Sequence, residues 1–156
     1  MKTWNNTDKS KWENGPWMNE PDKAQWVAHG LDCLIVRGPS GALCGYVGVP
    51  ESHKYFDADY ADVDVEAHGG LTFGDRCRPH DEGEHKGICH IEEGAANKTV
   101  FWLGFDCAHS WDLVPGLSRD YILLDDDVVY RDFYYVKRET ERLARQLSSV
   151  EGNEHE

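Results

Sequence analysis

Two short apolar segments, Leu31 to Arg37 and Ala42 to Val49, separated only by Gly38-Pro-Ser-Gly41, constrain the fold more than any other part of the chain. Each is too short for a helix with its own buried face. The turn residues between them favour an immediate reversal, so the pair is predicted to form a β-hairpin. Gly45 and Gly48 interrupt the second strand, and a glycine inside a strand marks a bulge or a close approach to the backbone. Pro50 ends it. An antiparallel sheet is therefore the minimum architecture.

The remaining elements follow from their patterning. Val63 to Phe73 alternates well enough for a third strand, broken by Gly69-Gly70 after His68, and Val100 to Phe105 reads as a fourth. Tyr130 to Leu147 places Phe133, Val136, Thr140, Leu143, Ala144 and Leu147 at three- and four-residue steps, which predicts a helix covering one face of the sheet. Arg138, Arg142 and Arg145 fall on or near its other face, where a solvated surface outweighs an anion site. Glu20 to His29 is assigned a short helix, with Pro21 in the first turn and Gly30 at the end. Residues 51 to 65, 74 to 94 and 110 to 129 read as loops. The expected fold class is α+β: an antiparallel sheet of about four strands, a C-terminal helix packed on one face, and long loops at one end. Residues 1–22, whose pattern supports no regular element, are expected to form a polar arm carrying Trp4, Trp12 and Trp17, residues 23–148 a single domain, and residues 149–156 an acidic tail. A tail with three tryptophans is expected to dock, on its own domain or on a second copy in a homodimer.

Charge narrows the partners. Lys and Arg total 16 against 29 Asp and Glu, a formal charge of −13, which opposes general nucleic-acid binding and association with anionic membranes. A few local cations still suffice for a small anion within a screening length of about 8–10 Å. Five cysteines, a polar start and apolar runs far short of about 20 residues predict reduced thiols in a cytosolic protein without a membrane span.

Chemistry is concentrated where the fourth strand runs into Asp106, Cys107, His109 and Asp112. If the third and fourth strands are neighbours, His68 and Thr72 approach this group. Two imidazoles and one or two carboxylates compose an acid–base pair or a two-His-one-carboxylate metal site; the alternative is a polar cluster that caps strand ends. A second set, Cys77, His85, Cys89 and His90, with His80 and Cys107 nearby, has the ligand types of zinc but the spacing of no standard finger. Free thiols and solvated histidines are the alternative there. Cys107 two residues from His109 is a candidate nucleophile. Tyr46, Trp102 and Trp111 as stacking surfaces, with Arg37, Lys54, Arg76 or Arg78 as anion partners, would suit a nucleotide. Trp102, mid-strand, is assigned to the core.

The segments Glu20-Pro-Asp-Lys-Ala-Gln-Trp26, Gly30 to Arg37, Gly41 to Pro50, His68-Gly-Gly-Leu-Thr72, Trp102-Leu-Gly-Phe-Asp-Cys-Ala-His109 and Tyr130-Arg-Asp resemble a family of small bacteriophage and prophage proteins. The likeness extends over most of the chain, including His53 shortly after Val49-Pro50 and Gly87-Ile-Cys-His90. It implies a phage accessory setting and assigns no chemistry. Proteins in that setting frequently oppose host defence. The expectation is a counter-defence protein that sequesters a small nucleotide-derived signal at His53, His68, Thr72, Asp106 and His109, with Trp111, Tyr46 and Arg37 around them. A metal- or His-dependent phosphoesterase acting on such a ligand, and an acidic inhibitor that binds a host protein, are the alternatives.

Overall fold

A computed structural model describes residues 1–77, 87–116 and 128–150. Six strands form one sheet: β1 (Lys2–Trp4), β2 (Lys23–Ala28), β3 (Leu31–Arg37), β4 (Leu43–Pro50), β5 (Phe73–Asp75) and β6 (Val100–Asp106). Their order is β1-β2-β3-β4-β6-β5, and every pairing is antiparallel. A long helix, α1 (Phe133–Ser148), packs on one face. The α+β class is as expected, with six strands where about four were predicted.

The predicted hairpin is β3–β4, and its second strand is thinned because α1 crosses there: a Cβ on Gly45 would collide with the Thr140 hydroxyl and the Phe105 ring. Ala24, Cys33, Ile35, Leu43, Val47, Val49, Phe101, Leu103 and Phe105 from the sheet meet Phe133, Val136, Leu143, Ala144 and Leu147 from the helix in the main core. Asp132 caps α1 by accepting from the Tyr135 amide (2.8 Å), and Glu20 accepts from the Phe133 amide (2.9 Å), so two of the orphan donors at the helix start are satisfied.

Three expectations are corrected. Glu20 to His29 is not a helix: residues 23 to 28 are β2, and His29 and Gly30, both at positive φ (52° and 76°), make the two-residue turn into β3. Such a turn matches the twist of paired strands. The polar side chains that concealed this strand, Lys23 and Gln25, are buried because the sheet's second face is covered by residues 87 to 97. Lys23 Nζ donates to the carbonyls of Gly87 (3.2 Å) and Cys89 (2.8 Å), Gln25 Nε2 donates to Ile91 (2.9 Å), and Asp32 accepts from the amides of Ala96 (2.7 Å) and Asn97 (2.9 Å). The arm is not without regular structure either, since β1 pairs with β2 and Trp17 is buried edge-on against Tyr130 at 5.0 Å. Of Val63 to Phe73 only its last residue is in a strand, β5, because Gly69 and Gly70 (φ 68° and 84°) turn the chain away.

Among the described residues no helix is long and apolar enough to cross a membrane. His80, His85, Arg78, the segment Tyr121 to Leu124 and the run Asp125 to Asp127 lie outside the described residues.

Candidate functional site

The sheet order makes the end of β6 and the approach to β5 neighbours: Phe73 pairs with Gly104, and the Thr72 amide donates to the Gly104 carbonyl (2.9 Å). After β6, Asp106 accepts from the Ala108 amide (3.0 Å) and the chain turns tightly, the Asp112 amide donating to His109 (2.9 Å). Asp112 then bridges in parallel to Val129, which brings Arg131 and the start of α1 alongside. Three separate segments thereby meet at one carboxylate.

That carboxylate is fully buried. It lies 2.9 and 3.0 Å from His68 Nε2, 3.2 Å from His109 Nδ1 and 3.0 Å from Arg131 Nε, and it accepts the His109 amide at 3.1 Å. Burial alone would raise the Asp112 pKa, but the hydrogen bonds from His68, Arg131 and the His109 amide outweigh it and hold the group below the usual carboxylate range. The other nitrogen of His68 is 2.7 Å from the Tyr135 hydroxyl, whose own pKa burial raises. His109 lies flat on Trp111, with ring centroids 4.7 Å apart and planes inclined by 8°. Gly69 makes that placement feasible, because a Cβ there would run into the His109 ring. Trp111 keeps 46% of its surface exposed, so it presents an indole to solvent beside the buried centre. Thr72 donates to Asp106 (3.0 Å), whose Oδ1 is 3.7 Å from His109 Nδ1.

The centre thus contains His68, Asp106, His109, Trp111 and Thr72 from the sequence-derived set, and excludes three others. His53 sits at the far end of α1, donating from Nε2 to the Leu147 carbonyl (2.8 Å), while His68 meets α1 at Tyr135. Those helix positions are roughly 18 Å apart at about 1.5 Å per residue. Tyr46 points into the cluster on the opposite sheet face, edge-on to Phe73 at 5.4 Å. Arg37 is buried among Asp22, Gly41, Tyr130, Pro21 and Glu20, and serves the fold.

The cysteine readings also change. Cys77 and Cys89 form a disulfide, so this pair is not reduced and does not offer the two thiolates of the proposed zinc set. His90, the third member, donates to the Asn97 carbonyl (2.6 Å) and meets Trp102 edge-on. Cys107 points into the main core at 1% exposure, and burial followed by the nearby Asp112 carboxylate pushes its thiol pKa up. A buried thiol that resists ionisation is a poor nucleophile. Extended geometry would have put it on the face of His109, but β6 ends at Asp106 and the alternation ends with it.

Arg131 and Tyr135 were absent from the sequence-derived site. Asp112 appeared in the strand-end cluster as one carboxylate among several, and only the fold makes it the hub.

Asp22 resembles Asp112 in its charge balance: burial opposes ionisation, but donors from Lys9, the Thr7 and Asn6 amides and Arg37 lower its pKa. For both groups the folded pKa lies below the unfolded value of about 3.9, so their stabilisation is full above that pH and is lost as pH falls through the folded pKa. The urea midpoint should accordingly fall more between pH 4 and pH 2 in the parent than in Asp22→Asn. Equal acid sensitivity would contradict this linkage.

No family model, curated protein or solved structure matches the chain.

Proposed function

We propose that this chain binds and sequesters a small nucleotide-derived ligand at the Asp112 centre, in the setting of a phage protein that opposes host defence. The observation that carries the reading is the stacked His109–Trp111 pair, with its half-exposed indole, next to a buried carboxylate that also anchors Arg131. An exposed indole offers a planar ligand a stacking surface worth about 1–3 kcal/mol per base. Arg131 uses Nε on Asp112, and its terminal nitrogens hydrogen-bond to none of the described residues, leaving a guanidinium edge for phosphate oxygens. The resemblance to phage proteins supplies the setting, and the chain's acidity favours a small ligand over a polynucleotide.

One observation favours hydrolysis as a second reading. Asp112 orients His109 through Nδ1, as a carboxylate orients a general base, and the opposite nitrogen, Nε2, has no hydrogen-bond partner among the described residues. A single experiment separates the readings: the full chain is incubated with cyclic and ADP-ribose-derived nucleotides, denatured, and the small molecules are analysed. Depletion followed by recovery of intact nucleotide is the expected result. Altered nucleotide would replace sequestration by phosphoester hydrolysis. Absence of depletion across the panel would overturn both and leave the acidic protein-binding inhibitor. Trp111→Ala should weaken depletion by the stacking contribution above, while His109→Ala should abolish it.

A further inference from the structure

We infer that His68, His109 and Asp112 form a binding site for a first-row divalent cation of the zinc and manganese class. The inference shares its site with the proposed nucleotide reading, and its claim that the ion contacts ligand phosphate rests on that reading.

The first argument is the donor set. One ligand atom from each residue falls within a group whose members lie within 4.8 Å of one another. Two edges of that triangle, taken at Asp112 Oδ2, are 3.0 Å (to His68 Nε2) and 3.2 Å (to His109 Nδ1). Zinc bonds of about 2.0–2.1 Å at tetrahedral angles require donor separations of about 3.3 Å, so these two edges need little adjustment. Two imidazoles and one carboxylate on one side of an ion leave its other positions open, the arrangement that suits zinc, manganese or ferrous iron.

The second argument is the surrounding shell. An imidazole that binds a metal is normally fixed through its other ring nitrogen, and His68 has the Tyr135 hydroxyl at 2.7 Å from Nδ1. Without a cation, Nε2–H donates to Asp112 and Nδ1 accepts from Tyr135; with one, Nε2 turns its lone pair to the ion and Nδ1–H donates to the same hydroxyl. A phenol serves both states without moving. Arg131 holds Asp112 Oδ1, leaving Oδ2 as the oxygen nearest His109. The polar and charged groups beside the site are therefore Arg131, Tyr135 and Asp106, whose carboxylate lies 3.7 Å from His109 Nδ1 and adds negative charge. Trp111 stacks on the face of His109, so an ion held at Nδ1 would lie beside that shelf, and the positions the protein leaves open on it would take phosphate oxygens of a ligand bound there.

The test uses the full chain stripped with chelator. Zinc is titrated against a chromophoric competitor, and cobalt binding is followed by its visible absorption, both without nucleotide. The expected result is one ion per chain, lost in His68→Ala and in Asp112→Asn. Tyr135→Phe, which removes only the hydroxyl, should weaken binding about 10–100-fold. Zinc that the parent binds no better than His68→Ala would overturn the inference, as would binding lost in a Cys77→Ser, Cys89→Ser double variant but retained in Asp112→Asn. Nucleotide depletion in chelator-treated protein with no metal uptake would overturn the metal site alone. Metal uptake with no depletion of any nucleotide would overturn the ligand reading alone.

Discussion

Replacing Arg37 by alanine should cost this fold about 3–5 kcal/mol, the range expected when one partner of a buried ion pair is removed. The guanidinium has no exposed surface, and it makes bonds to three parts of the molecule. Nε donates to Asp22 (2.8 Å) at the end of the arm, one terminal nitrogen donates to the Gly41 carbonyl (2.8 Å) in the hairpin turn and to Tyr130 (3.1 Å) ahead of α1, and the other donates to Pro21 (3.1 Å). Asp22 in turn accepts the amides of Asn6 (2.8 Å) and Thr7 (2.9 Å) and pairs with Lys9 at 3.0 Å. Without Arg37 the Asp22 carboxylate stays buried with a single cation, while Gly41 and Pro21 lose a donor. Arg37→Met keeps much of the volume and still leaves that charge, so it should behave like alanine. Adding Asp22→Asn to Arg37→Met removes the uncompensated charge and should recover part of the loss, a coupling that a double-mutant cycle in urea measures. A cost below about 1 kcal/mol for Arg37→Ala, the value of an exposed pair, would show that this network does not hold the arm to the sheet.

The same residue illustrates what the sequence can and cannot reveal. Arg37 follows an apolar strand, so it read as a cation at a strand end, free for a ligand; its burial depends on Glu20, Asp22 and Tyr130, which converge only in the fold. Where neighbours are local, the reading was sound. The β3–β4 hairpin follows from a turn between two apolar segments, β6 from an apolar run, and α1 from its spacing. β2 was lost because alternation was judged against water, whereas Lys23 and Gln25 face the carbonyls of residues 87 to 91, more than sixty positions away. In the site, His68 and His109 were legible because glycine pairs and strand ends mark them locally, and the adjacency of β5 and β6 brings them together. Arg131 and Tyr135 were not, because near a helix start an arginine and a tyrosine read as helix surface, and only the bridge between Asp112 and Val129 turns them to the centre. His53 followed the same logic in reverse: a marked histidine whose partner is the last turn of α1.

Asp112→Asn is the substitution expected to damage the site most, with a cost to stability of about 1–3 kcal/mol and complete loss of the proposed nucleotide depletion. The parent carboxylate accepts from His68, Arg131 and the His109 amide, and His109 Nδ1 lies 3.2 Å away; all the neighbouring groups can donate. An asparagine of the same shape supplies one acceptor oxygen and turns two donors of its own toward them. At least one N–H is then left facing another in a place that is closed to water, and the side chain's charge no longer balances Arg131. His109 would lose the partner that fixes its ring on Trp111, so the stacking shelf loosens as the hub fails. Two readouts separate damage to the fold from damage to the site. Circular dichroism and the urea midpoint report the first, and they should show a folded protein of reduced stability. Depletion measured well below that midpoint reports the second and should be absent. Acid adds a signature of its own: protonating Asp112 imposes on the parent part of what the substitution imposes at every pH, so the stability gap between the two should narrow below pH 4. A variant that depletes nucleotide like the parent, with an unchanged midpoint, would show that Asp112 is not the group that organises this centre.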